Sequence, residues 1–423
     1  MKRLFCTTFV LLLFSSNLQA EEIPGVFRLN ERPYFSVSST ISAANFSPDG
    51  KKVVIANLDN TSIIWDVESG KKLQTLKTHS IPFGTSTAAF SPDGKKIVTA
   101  NGDHVSVIWD VESGNELQKL EWQKSSSLRS SAGFSPDGKI VVTSSVVMNP
   151  NAPALNARFL TNNVGIWEVE SGKQLHTQEL EVSFETVRIP QGISHAVFSP
   201  DSKKIVMPDG EVVRIWETQS GKELLKLEGH TTPVLSALFS PDGKKVVTAG
   251  EDAIVRIWDA ESGKELLTLE EHIESVRIAV FSPDGTKLVT TSKEDKIVRI
   301  WDIVSGKELA ELEGHKEFIR SVAFSSDGTK LVTASKDDPV RIWDVASGDE
   351  LQTLEHYAIE SAVFSPDGKK ILTVGEQTLT EPVKAYRSGE GEIEITTAQQ
   401  ARIWDLERYI APPPLVRPAI TDF

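Results

Sequence analysis

The fold class that this sequence predicts is all-β: eight tandem units of four antiparallel strands, closed into a ring. Three observations carry it. A turn motif, Phe-Ser-Pro-Asp-Gly, starts at Phe46, Phe90, Phe134, Phe239, Phe281 and Phe364, with variants at Phe198 (Ser202 for glycine) and Phe324 (Ser326 for proline). A second motif, Ile-Trp-Asp/Glu, puts tryptophan at positions 65, 109, 167, 216, 258, 301, 343 and 404, so eight of the nine tryptophans belong to one repeat. The two alternate with a period of about 40–45 residues, the length of one blade of a β-propeller. A seven-bladed ring with one displaced unit is the alternative count.

The stretch from Phe318 to Leu354 shows why each unit is four strands. Phe318–Phe324 runs into a tight turn at Asp327-Gly328. Lys330–Ser335 is short and β-branched, and Lys336-Asp337-Asp338 turns it. Val340–Asp344 forms the third strand and Glu350–Leu354 the fourth, after Ala346-Ser347-Gly348. Fourth strands mix charge with leucine, as in Lys222-Glu223-Leu224-Leu225-Lys226-Leu227, which suits an outer edge that must not pair with other molecules.

With these motifs in place, the chain resembles the WD-repeat (Trp-Asp repeat) family over about residues 26–407. The resemblance implies a hydrogen-bonded set in each blade: a histidine before the first strand, a Ser/Thr on the second, an aspartate in the following turn and the tryptophan on the third. His315, Ser335, Asp337 and Trp343 match all four places, as do His272, Ser292, Asp295 and Trp301 with one extra turn residue. His230, Asp252 and Trp258 match three, with Gly250 in the serine place; His79, Asp103 and Trp109 match three, with Asn101 there. Ring closure in this family implies that an N-terminal strand, Val26-Phe27-Arg28-Leu29, completes blade eight, because Arg408 leads directly into Ala411-Pro412-Pro413-Pro414 and proline cannot serve a paired strand.

Residues 1–20 read as a removable export signal: Lys2 and Arg3, an apolar run from Phe9 to Phe14, and a small-residue end at Ala20. An uncleaved anchor is the competing reading, on a run too short to span a bilayer comfortably. Residues 21–407 are the propeller and 408–423 an extended proline-rich tail. The lone cysteine, Cys6, lies in the signal, so the mature chain holds no disulfide and no thiol nucleophile. The net charge is −14, and losing Lys2 and Arg3 makes it more negative, which disfavours nucleic acid as a partner. No membrane association is expected once the signal is removed. A periplasmic or extracellular monomer is the resulting expectation.

Chemistry-bearing patterns are sparse. His79, His230, His272, His315 and His356 recur one blade apart rather than clustering, so they read as buried blade histidines and not as metal ligands. Each Ser-Pro-Asp-Gly turn offers one carboxylate, too few for a calcium loop. No phosphate-binding glycine loop or nucleophile elbow occurs. No cofactor and no catalytic residue is assigned. Arg214, Arg256, Arg299, Arg341 and Arg402 stand two residues before tryptophan, on the same strand face, and are expected to stack on it.

Departures from the repeat are better pointers to function. Insertions fall at Val146–Asn163 and Glu376–Gln400, with long links at Trp122–Ser131 and Gln178–Ile193. Family geometry puts all four on one face of the disc, together with Leu235, Arg277, Phe318 and Arg320 at first-strand starts, and Glu251, Glu294 and Lys336 in second-to-third-strand turns. Trp122 is the tryptophan outside the repeat, and Phe318 with Arg320 is the sharpest candidate pair, since exposed aromatic and arginine residues dominate binding hot spots. The sequence thus predicts a non-catalytic scaffold that presents this face to a protein partner. The alternative is a small-molecule or catalytic site at the central funnel.

Overall fold

The computed structural model describes residues 34–36, 41–77, 85–101, 105–121, 127–148, 160–182, 196–270, 272, 274–292, 296–336, 338–387 and 391–406. Its 32 strands form eight separate four-stranded antiparallel sheets, the blades of a β-propeller. Blade one is β2 (Ile41–Phe46), β3 (Lys52–Asn57), β4 (Thr61–Asp66) and β5 (Lys72–Lys77), paired in that order. Blade seven is β26 (Ile319–Phe324), β27 (Lys330–Ser335), β28 (Val340–Asp344) and β29 (Glu350–Leu354), within one residue of the sequence expectation.

Burial explains why these strands read as they do. In β27 every residue after Lys330 is buried, and β3 repeats that pattern. A strand covered on both faces needs a continuous apolar run rather than alternation, and Leu331-Val332-Thr333-Ala334 supplies it. The outer strand β29 instead has exposed Glu350 and Leu351 and buries Leu354. Cover for the middle strands comes from the adjacent blades. Each of the eight apolar clusters spans two neighbours: Val332, Ala334, Val340 and Ile342 of blade seven pack with Ile359, Ala362, Phe364 and Trp404 of blade eight. No blade has a core of its own.

Closure is visible in three places. The cluster of Ile41, Val53 and Ile55 with Leu372, Val374 and Ile403 joins blade one to blade eight. The turns do the same on the lower face: a Cβ built on Gly50, at φ +69°, would lie 3.5 Å from the Pro366 ring, as one on Gly94 would lie 3.6 Å from Pro48. At the variant turn, Ser202 keeps the left-handed backbone (φ 63°), and its hydroxyl accepts the Asp137 N–H of blade three at 3.0 Å. The third place is the sheet of blade eight itself, where the chain's first described strand, β1 (Tyr34–Ser36), pairs with β32 (Gly391–Asp405) in the register Tyr34↔Arg402, Phe35↔Ala401, Ser36↔Gln400. An N-terminal strand does close the ring, but it is Tyr34–Ser36. The expected segment Val26–Leu29 lies outside the described residues.

Two insertions become taller blades. In blade three the ladder continues through Val146↔Asn162 to Met148↔Leu160. In blade eight, β31 (Lys370–Arg387) and β32 pair to the tip, Arg387↔Gly391, across an irregularity between Thr378 and Val383. Much of what the sequence marked as inserted loop is therefore hairpin.

Because β1 supplies the outer strand of blade eight, Phe35→Pro should remove a ladder donor and lower Tm by several degrees. Amide exchange at residues 400–402 should rise with it, and an unchanged Tm would show that closure rests on the apolar contacts alone.

Candidate interaction face and the polar core beneath it

The polar set inside the blades is built on threonine. The third residue after the lysine that opens the second strand is Thr99, Thr248, Thr290, Thr333 or Thr373, and Thr143 takes the same place in blade three. Each accepts a hydrogen bond from its blade's tryptophan: Trp109 Nε1–H to Thr99 at 2.9 Å, Trp167 to Thr143 at 2.7 Å, Trp258 to Thr248 at 2.8 Å, Trp301 to Thr290 at 2.7 Å, Trp343 to Thr333 at 2.8 Å and Trp404 to Thr373 at 2.9 Å. The same hydroxyl meets a histidine ring nitrogen: His230, His272 and His315 through Nε2 and His356 through Nδ1, each at 2.7 Å. Because the indole donates to the threonine, the hydroxyl proton goes to the bare histidine nitrogen, which keeps the ring neutral. In blade five the chain is complete, with His230 Nδ1–H donating to Asp252 at 2.9 Å. Burial, the larger influence, pushes the His230 pKa down, and Asp252 opposes it.

Three expectations change here. The Ser/Thr place is two residues earlier than the serine reading put it: Thr333 and Thr290 hold it, not Ser335 and Ser292, and Thr248 fills a place that Gly250 had seemed to leave empty. The turn aspartate of blade seven is Asp338, 4% exposed, which accepts the Lys316 and Glu317 N–H groups and the Ser335 hydroxyl. Asp337, Asp295, His79 and Asp103 lie outside the described residues. The signal for threonine was present in the sequence as a second-strand position recurring in six blades, with Ile55 and Met207 in the other two.

The arginines before tryptophan work across the strand pair. Arg214 bonds Glu223 at 2.6 Å and Asp209 at 2.7 Å, Arg256 bonds Glu265 at 2.9 Å, Arg299 bonds Glu308 at 2.7 Å, and Arg341 bonds Glu350. Stacking is seen at Arg402, 5.8 Å from the Trp404 ring centre. The turn aspartates are equally occupied: Asp284 accepts the Ser282 hydroxyl and the Thr286 N–H and hydroxyl, which hold its pKa down to about 2.

Two faces follow from the turns. The link before a blade and its second-to-third-strand turn share the upper face, as Glu251 N–H donating to Pro233 O (3.0 Å) shows. The first-to-second and third-to-fourth turns share the lower face, as Val345 N–H donating to Thr329 O (2.9 Å) shows. On the upper face the innermost strands carry a recurring bulge that skips one residue: Ser42 between Ile41 and Ala43 in β2, Leu235 between Val234 and Ser236 in β18 (Val234–Phe239), Arg277 between Val276 and Ile278 in β22 (Val276–Phe281), and Arg320 between Ile319 and Ser321 in β26. A bulge re-aims a side chain out of the ladder. The skipped residue differs in chemistry from blade to blade, while the residue before it is isoleucine or valine in all four.

The candidate face is only partly as the sequence suggested. Leu235 is 6% exposed and belongs to the interior. Phe318 and Arg320 are half-buried and turned on each other, the guanidinium carbon 5.5 Å from the ring centre, and Arg320 is ion-paired with Glu360 of blade eight. That pair is a bridge between blades rather than a free anchor. Glu251 and Arg277 are half-buried and Lys336 is exposed. Trp122 and Glu294 lie outside the described residues.

With this geometry in hand, comparison places the chain. The WD domain, G-beta repeat, matches residues 33–66, 70–110, 221–259, 263–302 and 306–344. The chain thus carries five WD repeats. Among its relatives, an uncharacterized WD repeat-containing protein of Synechocystis sp. is 33% identical over 89 residues, 21% of this chain and 23% of that one. Coronin-7 of Mus musculus is 50% identical over 40 residues, 10% of this chain and 4% of that protein. The matches thus span less than a quarter of the curated relatives' length. The computationally designed protein Ika8 is similar in fold, with TM-score 0.65 and 22% identity over 88% of this chain and 98% of that one. Propellers of this family commonly act as protein-interaction scaffolds and are generally not catalysts.

Thr248→Val should leave the Trp258 and His230 nitrogens buried without partners and cost about 2–4 kcal/mol in a denaturant melt. Ser335→Ala, which keeps the indole and imidazole partnered and removes one of three donors to Asp338, should cost less, about 1 kcal/mol. Acid should also destabilise the fold. Burial first, and then the nearby Arg341 or Arg402, holds His315 down to about 4 and His356 down to about 3, against 6.5 when unfolded. Unfolding therefore takes up protons below the unfolded value. Stability is complete above pH 6.5 and declines toward the folded values, by roughly 1.4 kcal/mol per pH unit for each histidine. His356→Gln should flatten this slope in urea midpoints measured from pH 7 to pH 4.

Proposed function

We propose that the protein is an exported, non-catalytic platform whose upper face binds another protein. One observation carries the reading: the recurring polar groups are consumed inside the blades, whereas the residues that vary between blades gather at the bulges and turns of one face. Thr248, His230 and Asp252 satisfy one another and leave no free nucleophile–base pair there. The upper face offers half-buried Arg277, the Phe318–Arg320–Glu360 bridge and exposed Lys336, a set with no shared reaction but with varied contact chemistry. The taller hairpins of blades three and eight start from second-to-third-strand junctions on that same side. Export rests on the basic-then-apolar layout of residues 1–20.

The test is a pull-down from periplasm or culture medium with the wild-type chain and with a folded Phe318→Ala, Lys336→Ala variant. A protein captured by the first and lost by the second supports the platform and this face. Equal capture by both moves the interface elsewhere. Absence of any captured protein, together with a small molecule that raises Tm, would replace the reading with a ligand site.

A further inference from the structure

Arg277 stands out among the described arginines. Arg214, Arg256, Arg299, Arg320, Arg341 and Arg402 each donate a hydrogen bond, to a carboxylate or, for Arg402, to the Glu355 carbonyl. Arg277 forms no hydrogen bond or ion pair with any described residue. Its position makes that unusual. It is the skipped residue of the β22 bulge, half-buried at the upper mouth, with buried Leu235 at the same position of blade five and Arg320 at that of blade seven. Burial lowers its pKa, and Glu251 acts on it only electrostatically, without closing an ion pair. A guanidinium partly withdrawn from water and without an ion-pair partner among the described residues carries a desolvation cost, and a carboxylate in a fork-to-fork hydrogen bond is the group that best offsets it.

Resting on the platform reading above, we propose that Arg277 is the receptor for a carboxylate of the protein partner, presented by an acidic peptide segment that enters the mouth at blade six. A single guanidinium matches a monoanion. Arg320, at the same bulge position of blade seven, is committed to Glu360 and is not a second receptor there, and Glu251 would oppose the second charge of a phosphate. The acidity of the whole chain does not preclude this, because charges more than about 8 Å away are largely screened at physiological ionic strength.

The experiment is selection of a random dodecamer peptide library displayed on phage against the wild-type protein, Arg277→Gln and Arg277→Glu, each checked for an unchanged melting curve. The expected result is a wild-type consensus with a central Asp or Glu. A synthetic peptide of that consensus should bind Arg277→Gln about 30-fold or more weakly, and Arg277→Glu should enrich Lys or Arg at the same place. Amidated and free-acid forms of the peptide distinguish a side-chain carboxylate from a chain terminus. A consensus without acid, or one that Arg277→Gln binds equally well, overturns the carboxylate proposal and leaves the platform standing. Failure of every form of the protein to enrich peptides, alongside failure of the pull-down, overturns both.

Discussion

The structure depends on one constraint: each blade is apolar on both faces of its middle strands and cannot bury itself. Val332 and Ile342 of blade seven are covered only because Ile359 and Ile371 of blade eight lie against them, and the same holds at each junction to the one joining blades eight and one. An open array would leave two such faces in water, so a ring is the arrangement that satisfies all eight interfaces at once. This is why β1, three residues long, matters to the whole disc, and why the lower-face turns are spaced so that six of their glycines meet the proline of the preceding blade.

Placing tryptophan and histidine in that dry interior creates a second requirement, since each carries N–H groups that need partners. Threonine meets it with one hydroxyl that accepts from the indole and donates to the imidazole, while its methyl group fits the apolar run of the second strand. Where isoleucine or methionine stands there, in blades one and four, the strand keeps its packing without that hydroxyl. Burial holds the His230, His315 and His356 pKa values below the ordinary value, and so ties the stability of the fold to pH.

Where the repeated polar groups are engaged inside the blades, as Thr248, His230 and Asp252 are, the departures from the repeat are what a partner can read. These departures are concentrated by backbone geometry: the bulge in the inner strands of blades one, five, six and seven takes one residue out of the ladder on the upper face. Ser42, Leu235, Arg277 and Arg320 occupy equivalent positions and have four different fates: a hydroxyl bonded to the Thr85 carbonyl, a buried apolar contact, a cation without an ion pair among the described residues and an interblade ion pair.

The sequence by itself determined the blades and their number, and the strands of blade seven to within one residue, because those follow from local chemistry repeated in phase: an Asp-Gly turn, a β-branched second strand, a tryptophan on the third and a charged fourth. It also marked the variable face, since insertion and substitution are visible without coordinates. Tertiary structure decided what depends on depth and register. Thr333 and Ser335 share a strand face, so alternation cannot choose between them; their distance from Trp343 and His315 does. Asp337 and Asp338 are neighbours of identical composition, and only the path of the turn places Asp338 against the Lys316 and Glu317 amides. Likewise, apolar character in Val26–Leu29 could not reveal that Tyr34–Ser36 reaches blade eight, and nothing in the letters distinguishes Arg277 from Arg320 until the ring brings a glutamate to one and not to the other.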